Sequence, residues 1–461
     1  MKFLTNSIFF LLIMIFSCNK QDDFLNHKKN KSDVIPKTLQ DFQATLDNGS
    51  FLMNFGYNTL GLLGSDNYYI SDNNFSSLEA FERNCYTWNK VIYEGTDTRA
   101  YITDYSIVAN ANVVLEGLQK NQPYSDVSFY NNVYGQALFF RSIAFYNLAQ
   151  TYCKQYDKST SSTDLGIVLR TTSDINAIMK RSTLEETYAN IINDLKQAAD
   201  ILPAQSKYIT RPTKPAAYAL LSKTYLLMSD FNKSKDYSDS AIKYLGVILD
   251  FNSSLVSSSN FYSFPDFGKG NPEIIFYATS SGYSITEPYS AYSYVDTSLY
   301  ASYDDNDLRK TYFYLDNGSN LISYIGTYTG DYTNFTGLAT NELYLIRAEC
   351  NARLNNLSAA LNDLNTLLKN RFITNTYQNF NSADPNVVLK RILLERRKEL
   401  PFTAQIRWED LRRLNKDPRF AITLKRVING QTYILQPNDP KYAYPIPPIE
   451  VERAGTQPND R

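Results

Sequence analysis

The sequence predicts a mostly α fold in which helical hairpins form a scaffold, with long irregular loop inserts and few short strands. The first observation is a stretch, residues 341–371, with apolar positions at helical spacing on both sides of a polar turn. The second is that further segments of this kind occur between residues 96 and 250. The third is an interval, residues 252–336, in which helical spacing disappears and Ser, Gly, Asp and Tyr dominate.

The stretch 341–371 carries the clearest helical pattern, and its turn falls at Asn355 and Asn356. The apolar positions are Tyr344, Leu345, Ala348 and Ala352 before the turn, and Ala360, Leu361, Leu364, Leu367 and Leu368 after it. The small side chains of Ala348 and Ala360 predict a close approach of the two helices. This order of residues follows the tetratricopeptide repeat. Because one such hairpin cannot bury its apolar face alone, it requires neighbouring hairpins.

Helix signals recur along the chain, as a scaffold of hairpins requires. The predicted helices span residues 38–46, 98–118, 131–152, 183–202, 214–229, 232–249, 385–400 and 406–415. Thr38 is a good N-cap for the first of them, and Glu185 and Glu186 suit a helix N-terminus. Pro203 ends one helix and Pro215 begins the next. The repeats diverge from one another, so the pattern predicts a scaffold and not a regular array.

The intervals between these helices are predicted to be loops or short strands. Residues 61–95 are rich in Asn, Asp and aromatic side chains and are expected to form loops. An extended link is predicted at 166–170 and a short strand at 432–435. The prolines of residues 442–452 predict an extended path. An insert as long as residues 252–336 inside a compact protein is usually functional.

Composition and charge restrict the classes of function. The 461 residues carry 46 basic and 47 acidic side chains, a formal net charge of −1, which argues against nucleic-acid binding. The one histidine, His27, lies near the N-terminus in a polar segment, so histidine catalysis and His-rich metal sites are not expected. No cysteine pair has metal-ligand spacing. The 37 tyrosines suit contact with amphipathic ligands, or else reflect codon bias.

The N-terminus has the features of a lipoprotein export signal. Lys2 precedes an apolar run at residues 8–16, which is too short to span a bilayer. Ser17 and Cys18 follow and resemble a lipobox, whose cysteine is acylated; the alternative is an ordinary signal peptide with an incidental cysteine. Acyl chains of this kind anchor a protein to a membrane. We expect a signal peptide at 1–17, a lipidated tether at 18–36 and a single domain at 37–461.

Six stretches, taken together and in chain order, resemble the sequence motifs of one protein family. They are the lipobox ending at Cys18, GQALFFRSIAFYNLAQTYC (135–153), GIVLRT (166–171), the helical pair at 211–242, ERRKELPFTAQIRWEDLRRLN (395–415) and YAYPIPPIEV (442–451). Together they resemble the SusD/RagB family of outer-membrane nutrient-binding lipoproteins over nearly the whole chain. One departure is that Thr403, Ala404 and Gln405 stand where the family often has Glu-Gly. That segment is expected to be structural, so the departure does not bear on function.

The resemblance implies a cell-surface protein that is not an enzyme and carries no cofactor. Such proteins bind a polymer or oligomer, most often a glycan, and cap a SusC-like TonB-dependent outer-membrane barrel that receives it. The scaffold then spans about 96–250 and 338–415, and the insert 252–336 forms the ligand face. Asp22 and Asp23 resemble the signal that places some lipoproteins on the outer face of the outer membrane.

Loop aromatic residues beside polar residues are the candidate ligand contacts. A sugar ring packs its apolar face on an aromatic ring, while its hydroxyls seek Asn, Asp, Gln or Arg. The platform candidates are Tyr68, Tyr69, Trp88, Tyr289, Tyr292 and Tyr294, and the polar candidates are Asp66, Asn67, Asn73 and Asn89. For each aromatic residue the alternative is packing on the scaffold. Trp88 in particular stands close to the apolar residues Val91 and Ile92.

A glycan-degrading enzyme is the main alternative to a binding protein. Because glycosidases use a pair of carboxyl groups, candidate carboxylate pairs were sought in the sequence. Glu395 and Glu399 lie one helical turn apart among basic residues, a spacing that favours ion pairs along a helix surface. The Asp-rich run at 304–307 lacks the glycine and distal Glu of a calcium loop, and a solvated loop is expected there. The chain has no Walker-type, GxSxG or GxGxxG loop. A peptide binder and a scaffold without a ligand are the remaining alternatives.

Overall fold

Paired helices form most of the molecule, as the sequence predicts. The structure is a computed structural model that describes residues 36–94, 98–280 and 282–461. Its helices are α1 Leu39–Leu46, α2 Leu60–Gly64, α3 Asp72–Ser77, α4 Ala80–Tyr86, α5 Arg99–Lys120, α6 Val127–Tyr152, α7 Leu184–Ile201, α8 Lys214–Leu227, α9 Phe231–Tyr244, α10 Thr297–Ala301, α11 Leu308–Tyr312, α12 Thr340–Arg353, α13 Leu357–Lys369, α14 Pro385–Glu399, α15 Ile406–Leu414 and α16 Pro448–Ala454.

The longer helices pack in sequence order, each against the next. Helix α5 packs on α6, α6 on α7, α7 on α8, α8 on α9 and α9 on α12. Helix α12 then packs on both α13 and α14. The N-terminal helix α1 covers α5 and α6, and Thr38 caps it in a reciprocal bond with Asp41. This continuous stack confirms the mostly α scaffold of tetratricopeptide-like hairpins.

The hairpin of α12 and α13 has the predicted close contact. Ala348 and Ala360 are fully buried, and both belong to an apolar cluster that α14 and α15 complete. The apolar members contributed by α14 are Val388, Leu389 and Ile392. The hairpin therefore buries its apolar face against neighbouring helices, as a repeat unit must.

The strands are short and form two-stranded pairs only, within the described part of the chain. They are β1 Phe55–Tyr57, β2 Tyr68–Ile70, β3 Ile274–Phe276, β4 Thr279–Ser280, β5 Ser293–Val295, β6 Tyr314–Asp316, β7 Ile322–Tyr324, β8 Leu338–Ala339, β9 Leu424–Ile428 and β10 Gln431–Leu435. The antiparallel pairs are β2 with β5, β3 with β8, β6 with β7 and β9 with β10, while β1 and β4 run parallel. Two of these pairs join the N-terminal segment to the insert.

Two predictions about local structure were wrong. Residues 61–95 were expected to be loops, but they contain α3, α4, β2 and the end of α2. These elements are short, and buried side chains such as Leu63, Phe81 and Tyr86 hold them against the core. The prolines at 442–452 were expected to keep the chain extended, but α16 begins at Pro448. Proline is compatible with the first turn of a helix, because the N–H it lacks has no partner there.

A buried ion network joins the insert to the scaffold. Arg309 of α11 donates to Glu395 (2.6 Å) and Glu399 (3.1 Å) of α14. Arg371, just after α13, donates to Glu399 (2.8 Å) and to Glu273 of the insert (2.7 Å). We call Glu273, Asp307, Arg309, Arg371, Glu395, Lys398 and Glu399 the buried ion network.

The buried ion network corrects two expectations. Glu395 and Glu399 were expected to pair along a helix surface, but Glu399 is only 2% exposed and Glu395 is fully buried. Asp307 was expected in a solvated loop, but it is buried between Arg309 and Lys398. Glu395 and Glu399 are saturated by guanidinium groups, so this pair has no open position for a substrate.

The buried carboxyl of Asp104 in α5 leads to a pH-dependent prediction. Burial raises its pKa well above the usual value, and the nearby side-chain amides of Asn147 and Asn58 offset only part of this effect. The folded state therefore keeps this proton while the unfolded state loses it, so the free energy of unfolding falls as pH rises above about 4. We expect Asp104→Asn to be more stable than wild type in urea at pH 7, with a smaller difference at pH 4. An equal difference at both pH values contradicts this account.

The predicted signal peptide and Cys18 lie outside the described residues, as does most of the tether. Within the described part, no helix is both long and apolar enough to cross a bilayer. Cys85, Cys153 and Cys350 are buried, and no disulfide joins them. Hydrophobic burial and ion pairs therefore hold the described fold together, without disulfide cross-links.

Candidate functional site

The pairing of β2 with β5 brings two of the predicted tyrosines together. Tyr69 lies opposite Tyr294 in the antiparallel register, although the two are far apart in the sequence. Their ring centroids are 5.7 Å apart and their planes meet at 41°. Both rings are partly exposed. We call them the tyrosine pair, and they present an aromatic surface where the N-terminal segment meets the insert.

The loop before β5 packs against α3 and places two more predicted residues nearby. The Asn74 amide donates to the carbonyls of Ala291 (3.3 Å) and Tyr292 (3.0 Å). Tyr292 is partly exposed, and Asn73 is exposed beside Asn74 on α3. The predicted stretches 64–74 and 287–294 are therefore in direct contact.

A second aromatic surface lies around Tyr289. Its ring stacks on Phe261 with centroids 4.3 Å apart and an interplanar angle of 15°. Tyr262 contacts both rings edge-on, at 4.9 Å from Phe261 and 5.6 Å from Tyr289. Phe261 is 67% exposed, so one face of the stack is open to solvent. We call Phe261, Tyr262 and Tyr289 the aromatic platform.

The aromatic platform is held in place by main-chain contacts. The Tyr289 hydroxyl donates to the Phe261 carbonyl, and the Tyr289 N–H donates to the Tyr324 carbonyl (2.9 Å). Tyr332, on a neighbouring loop, is 62% exposed. Gly330 in that loop, at φ +67°, packs on the chain just after Tyr262, and a Cβ there would lie 2.3 Å from the Pro265 carbonyl oxygen. A side chain at Gly330 is therefore excluded by both conformation and space.

Sequence reasoning missed Phe261 and Tyr262. They occur in the run NFYSF at 260–264, where three aromatic residues stand among polar ones inside the insert. The same combination of loop, aromatic and polar residues selected the stretch 287–294. A search of the whole insert for aromatic residues among polar loop residues would also have found Phe261 and Tyr262.

Tyr68 and Trp88 are core residues, which corrects their expected role as platforms. Adjacent strand positions point to opposite faces, so Tyr68 is buried while Tyr69 is partly exposed. Trp88 is 3% exposed, and its indole N–H donates to the Gly64 carbonyl (2.9 Å). The Arg426 guanidinium lies 4.4 Å from the Trp88 ring centroid. Rings covered in this way offer no face to a sugar.

Asp66 and Asn67 also have structural partners. The Asp66 carboxylate accepts two bonds from Arg407, at 2.6 and 2.7 Å. Burial opposes ionisation of Asp66, but Arg407 and Arg397 outweigh it and hold its pKa well below the usual range. Asn67 is buried and donates to the Pro401 carbonyl at 2.5 Å. These two side chains tie the N-terminal segment to α14 and α15, so they are not available to a ligand.

Asn89 is exposed, and its hydrogen bonds are made within its own turn and to Arg461. Its amide donates to Asn84 Oδ1 (3.3 Å), and its own Oδ1 accepts from the Val91 N–H (3.2 Å). Its carbonyl accepts from the C-terminal Arg461 (3.0 Å). The contacts of Asn89 therefore stabilise its own turn and the chain end.

Two carboxyl groups flank the loop that carries Tyr289. The Ser284 hydroxyl lies 3.0 and 3.1 Å from the two oxygens of Glu82, and burial raises the pKa of Glu82. Burial, together with the nearby Glu82, also raises the pKa of Glu287. Glu82 thus holds the loop through Ser284. Among the described residues no group of three or more His, Cys, Asp or Glu side chains is arranged to hold a metal ion.

The fold and site define a helical-hairpin protein with a rigid aromatic surface on a loop-rich insert. A family profile described as "Starch-binding associating with outer membrane" matches residues 23–226, and the profile of the SusD family matches residues 271–457. The chain belongs to the SusD/RagB family. No curated protein matches the chain.

Solved structures show the same fold. A SusD superfamily protein from Bacteroides thetaiotaomicron matches with a TM-score of 0.73 and 21% identity, covering 92% of this chain and 100% of that one. A SusD superfamily protein from Bacteroides vulgatus matches with a TM-score of 0.70 and 19% identity, covering 92% and 99%. A SusD-like carbohydrate binding protein from Bacteroides vulgatus matches with a TM-score of 0.63 and 20% identity, covering 91% and 97%.

Proposed function

We propose that this protein is a cell-surface lipoprotein that binds an oligosaccharide or polysaccharide and delivers it to a TonB-dependent outer-membrane transporter. The observation that carries the proposal is the exposed and preorganised aromatic surface, formed by the aromatic platform and the tyrosine pair. The family description, starch-binding and associating with the outer membrane, supports it. One of the similar structures is named a carbohydrate binding protein.

The aromatic surface suits the chemistry of a sugar. The open face of the Phe261–Tyr289 stack offers an apolar plane, on which the C–H face of a pyranose packs. Nearby hydroxyls and the exposed amide of Asn73 can bond sugar hydroxyls. Because the rings are already held in place, binding costs little additional ordering.

The two aromatic surfaces are close enough for one ligand chain. Tyr289 of the platform and Tyr294 of the tyrosine pair are five residues apart, which limits their separation to roughly 17 Å even for extended chain. Tyr292 lies between them. The proposed ligand-binding residues are therefore Tyr69, Asn73, Phe261, Tyr262, Tyr289, Tyr292 and Tyr294.

A binding screen with an activity assay tests the proposed function against the enzyme alternative. The purified protein is run in native gels that contain starch, xylan, mannan or levan, and the same mixtures are assayed for new reducing ends. We expect retarded migration with at least one polysaccharide and no release of reducing sugar. Turnover of a polysaccharide supports the enzyme alternative, and then Glu82→Gln tests whether that carboxyl takes part. Unretarded migration in every gel contradicts the proposal.

The lipid anchor is tested by substitution of Cys18. In cells that express the full chain, we expect Cys18→Ala to move the protein from the membrane fraction to the soluble fraction, because the acyl chains can no longer be attached. Cys153→Ala is the matched control, since that cysteine is buried in the fold. Membrane retention of the Cys18→Ala protein contradicts acylation at this residue.

The delivery step requires a transporter partner. We expect the tagged, lipidated protein, purified from gently solubilised outer membranes, to carry a large TonB-dependent barrel in near-equal amount. Recovery of the protein alone at native expression levels contradicts the delivery role. That result leaves glycan binding itself intact.

A further inference from the structure

A polar groove runs along the loop after α13, and none of the proposed ligand-binding residues lines it. Its larger part has a volume of about 840 Å³, and a second part of about 540 Å³ continues on the other side of Tyr377, Gln378 and Asn379. Both volumes lie within the range typical of ligand sites. Seven side-chain amides line the two parts: Asn252, Asn306, Asn370, Asn375, Gln378, Asn379 and Asn381. We call the two parts together the amide groove.

The backbone of this loop is fixed by two asparagines. Asn365 of α13 accepts from the Tyr377 hydroxyl (2.6 Å) and the Phe380 N–H (2.8 Å), and it donates to the Phe380 carbonyl (3.0 Å). Asn252 donates to the Phe372 carbonyl (3.0 Å) and accepts from the Thr374 N–H (3.1 Å). The loop is therefore anchored before, within and after the groove, and a ligand meets a preorganised surface.

Four groove amides have hydrogen-bonding capacity to spare. Asn375, Gln378, Asn379 and Asn381 are exposed, and their side chains make no hydrogen bond to the described part of the chain. Each amide offers both donors and an acceptor, which is the capacity that a hydroxyl group also has. A ligand rich in hydroxyls can therefore pair with all four, whichever way its hydroxyls point.

The charges and rings of the groove narrow the class of ligand further. The larger part contains one acid and one base, Asp250 and Lys369, and so does the smaller part, with Asp304 and Arg391. This balance favours a neutral ligand over a polyanion. The Tyr377 ring packs on Phe372 with centroids 5.0 Å apart and supplies an apolar wall between the two parts.

We propose that the amide groove is a second ligand site, which binds a neutral oligosaccharide. The inference rests on the proposed function, because it assumes that the chain binds glycans. Asp304 of the groove follows Tyr294 by ten residues, with α10 between them, so the insert contributes residues to both sites. A long glycan that engages both gains affinity, because the second contact is intramolecular.

Hydrogen exchange tests the two sites separately. The full protein is titrated with maltoheptaose, xylohexaose and mannohexaose, and peptide-level exchange is followed at residues 373–381 and 287–294. We expect one of these sugars to protect both segments. In the variant Asn375→Ala, Gln378→Ala, Asn379→Ala, protection at 373–381 should need at least about tenfold more sugar, since three hydrogen-bonding groups are lost. Protection at 287–294 should persist.

A control variant and three contrary results separate the groove site from the proposed function. Substitution of the exposed amides Gln119, Gln205 and Asn232 by Ala, far from the groove in sequence, should change neither segment. Protection at 287–294 alone overturns the groove site and leaves the proposed function standing. Protection at neither segment with all three sugars overturns the groove site, and together with unretarded migration in every polysaccharide gel it contradicts the proposed function as well. Equal protection of 373–381 by tetraglycine overturns the assignment to sugars and points to peptides.

Discussion

Replacement of Glu399 by Ala is expected to lower the free energy of unfolding by about 3–5 kcal/mol. The substitution leaves Arg309 and Arg371, both fully buried, without a shared carboxylate. An uncompensated buried charge is costly, because water no longer solvates it and no partner replaces the water. Since Arg309 and Glu273 lie in the insert, the loss should also loosen the proposed ligand face and weaken the proposed glycan binding.

Urea denaturation measures the effect, and an exposed ion pair is the control. Asp305 pairs with Lys310 at 2.7 Å, but its side chain is fully in solvent. Asp305→Ala should therefore leave the unfolding midpoint nearly unchanged. If Glu399→Ala and Asp305→Ala shift the midpoint equally, the buried ion network does not hold the insert to the scaffold.

Replacement of Trp88 by Ala is the second large effect, and it is expected to be on stability. The ring is buried against Arg426 and bonded to Gly64, so its loss leaves a cavity and an unpaired carbonyl. Core Trp→Ala substitutions cost about 3–5 kcal/mol of unfolding free energy. Phe261→Ala is the matched aromatic control, since that ring is mostly exposed and its loss should barely change the unfolding midpoint.

Unfolding stability and glycan affinity, measured on both variants, distinguish the core role of Trp88 from the proposed binding role of Phe261. Glycan affinity of the folded Trp88→Ala protein, measured well below its unfolding temperature, should remain close to that of wild type. Phe261→Ala should show the reverse, with an unchanged unfolding midpoint and weaker binding. A Trp88→Ala protein that unfolds like wild type but no longer binds sugar contradicts the core assignment.

The helical scaffold was predictable because its signal is local. Apolar residues at helical spacing and caps such as Thr38 act within one or two turns, so α5 to α9 and α12 to α15 match the predicted segments closely. The short helices at 60–86 were not predictable, because their stability comes from burial against distant parts of the chain. For example, α2 packs on α15, which lies more than 300 residues further on.

The site was predictable in its segments but not in each of its residues. The stretches 64–74 and 287–294 do meet, since β2 pairs with β5 and Asn74 bonds to Tyr292. Which ring faces solvent depends on tertiary contacts, such as that of Arg426 with Trp88, and composition does not show them. Strand alternation decides between Tyr68 and Tyr69, but it requires the strand, which the sequence did not predict.

The direct measurement of the central claim is the glycan affinity of a variant that lacks the exposed tyrosines. Calorimetric titration compares wild type with Tyr69→Ala, Tyr289→Ala, Tyr294→Ala on the oligosaccharide of whichever polysaccharide wild type retains. Each aromatic contact contributes roughly 0.5–1.5 kcal/mol, so we predict at least about tenfold weaker binding. The control removes Tyr208 and Tyr244, which are exposed elsewhere, and should bind like wild type. Unchanged affinity of the triple variant, with its fold intact, contradicts the proposed site.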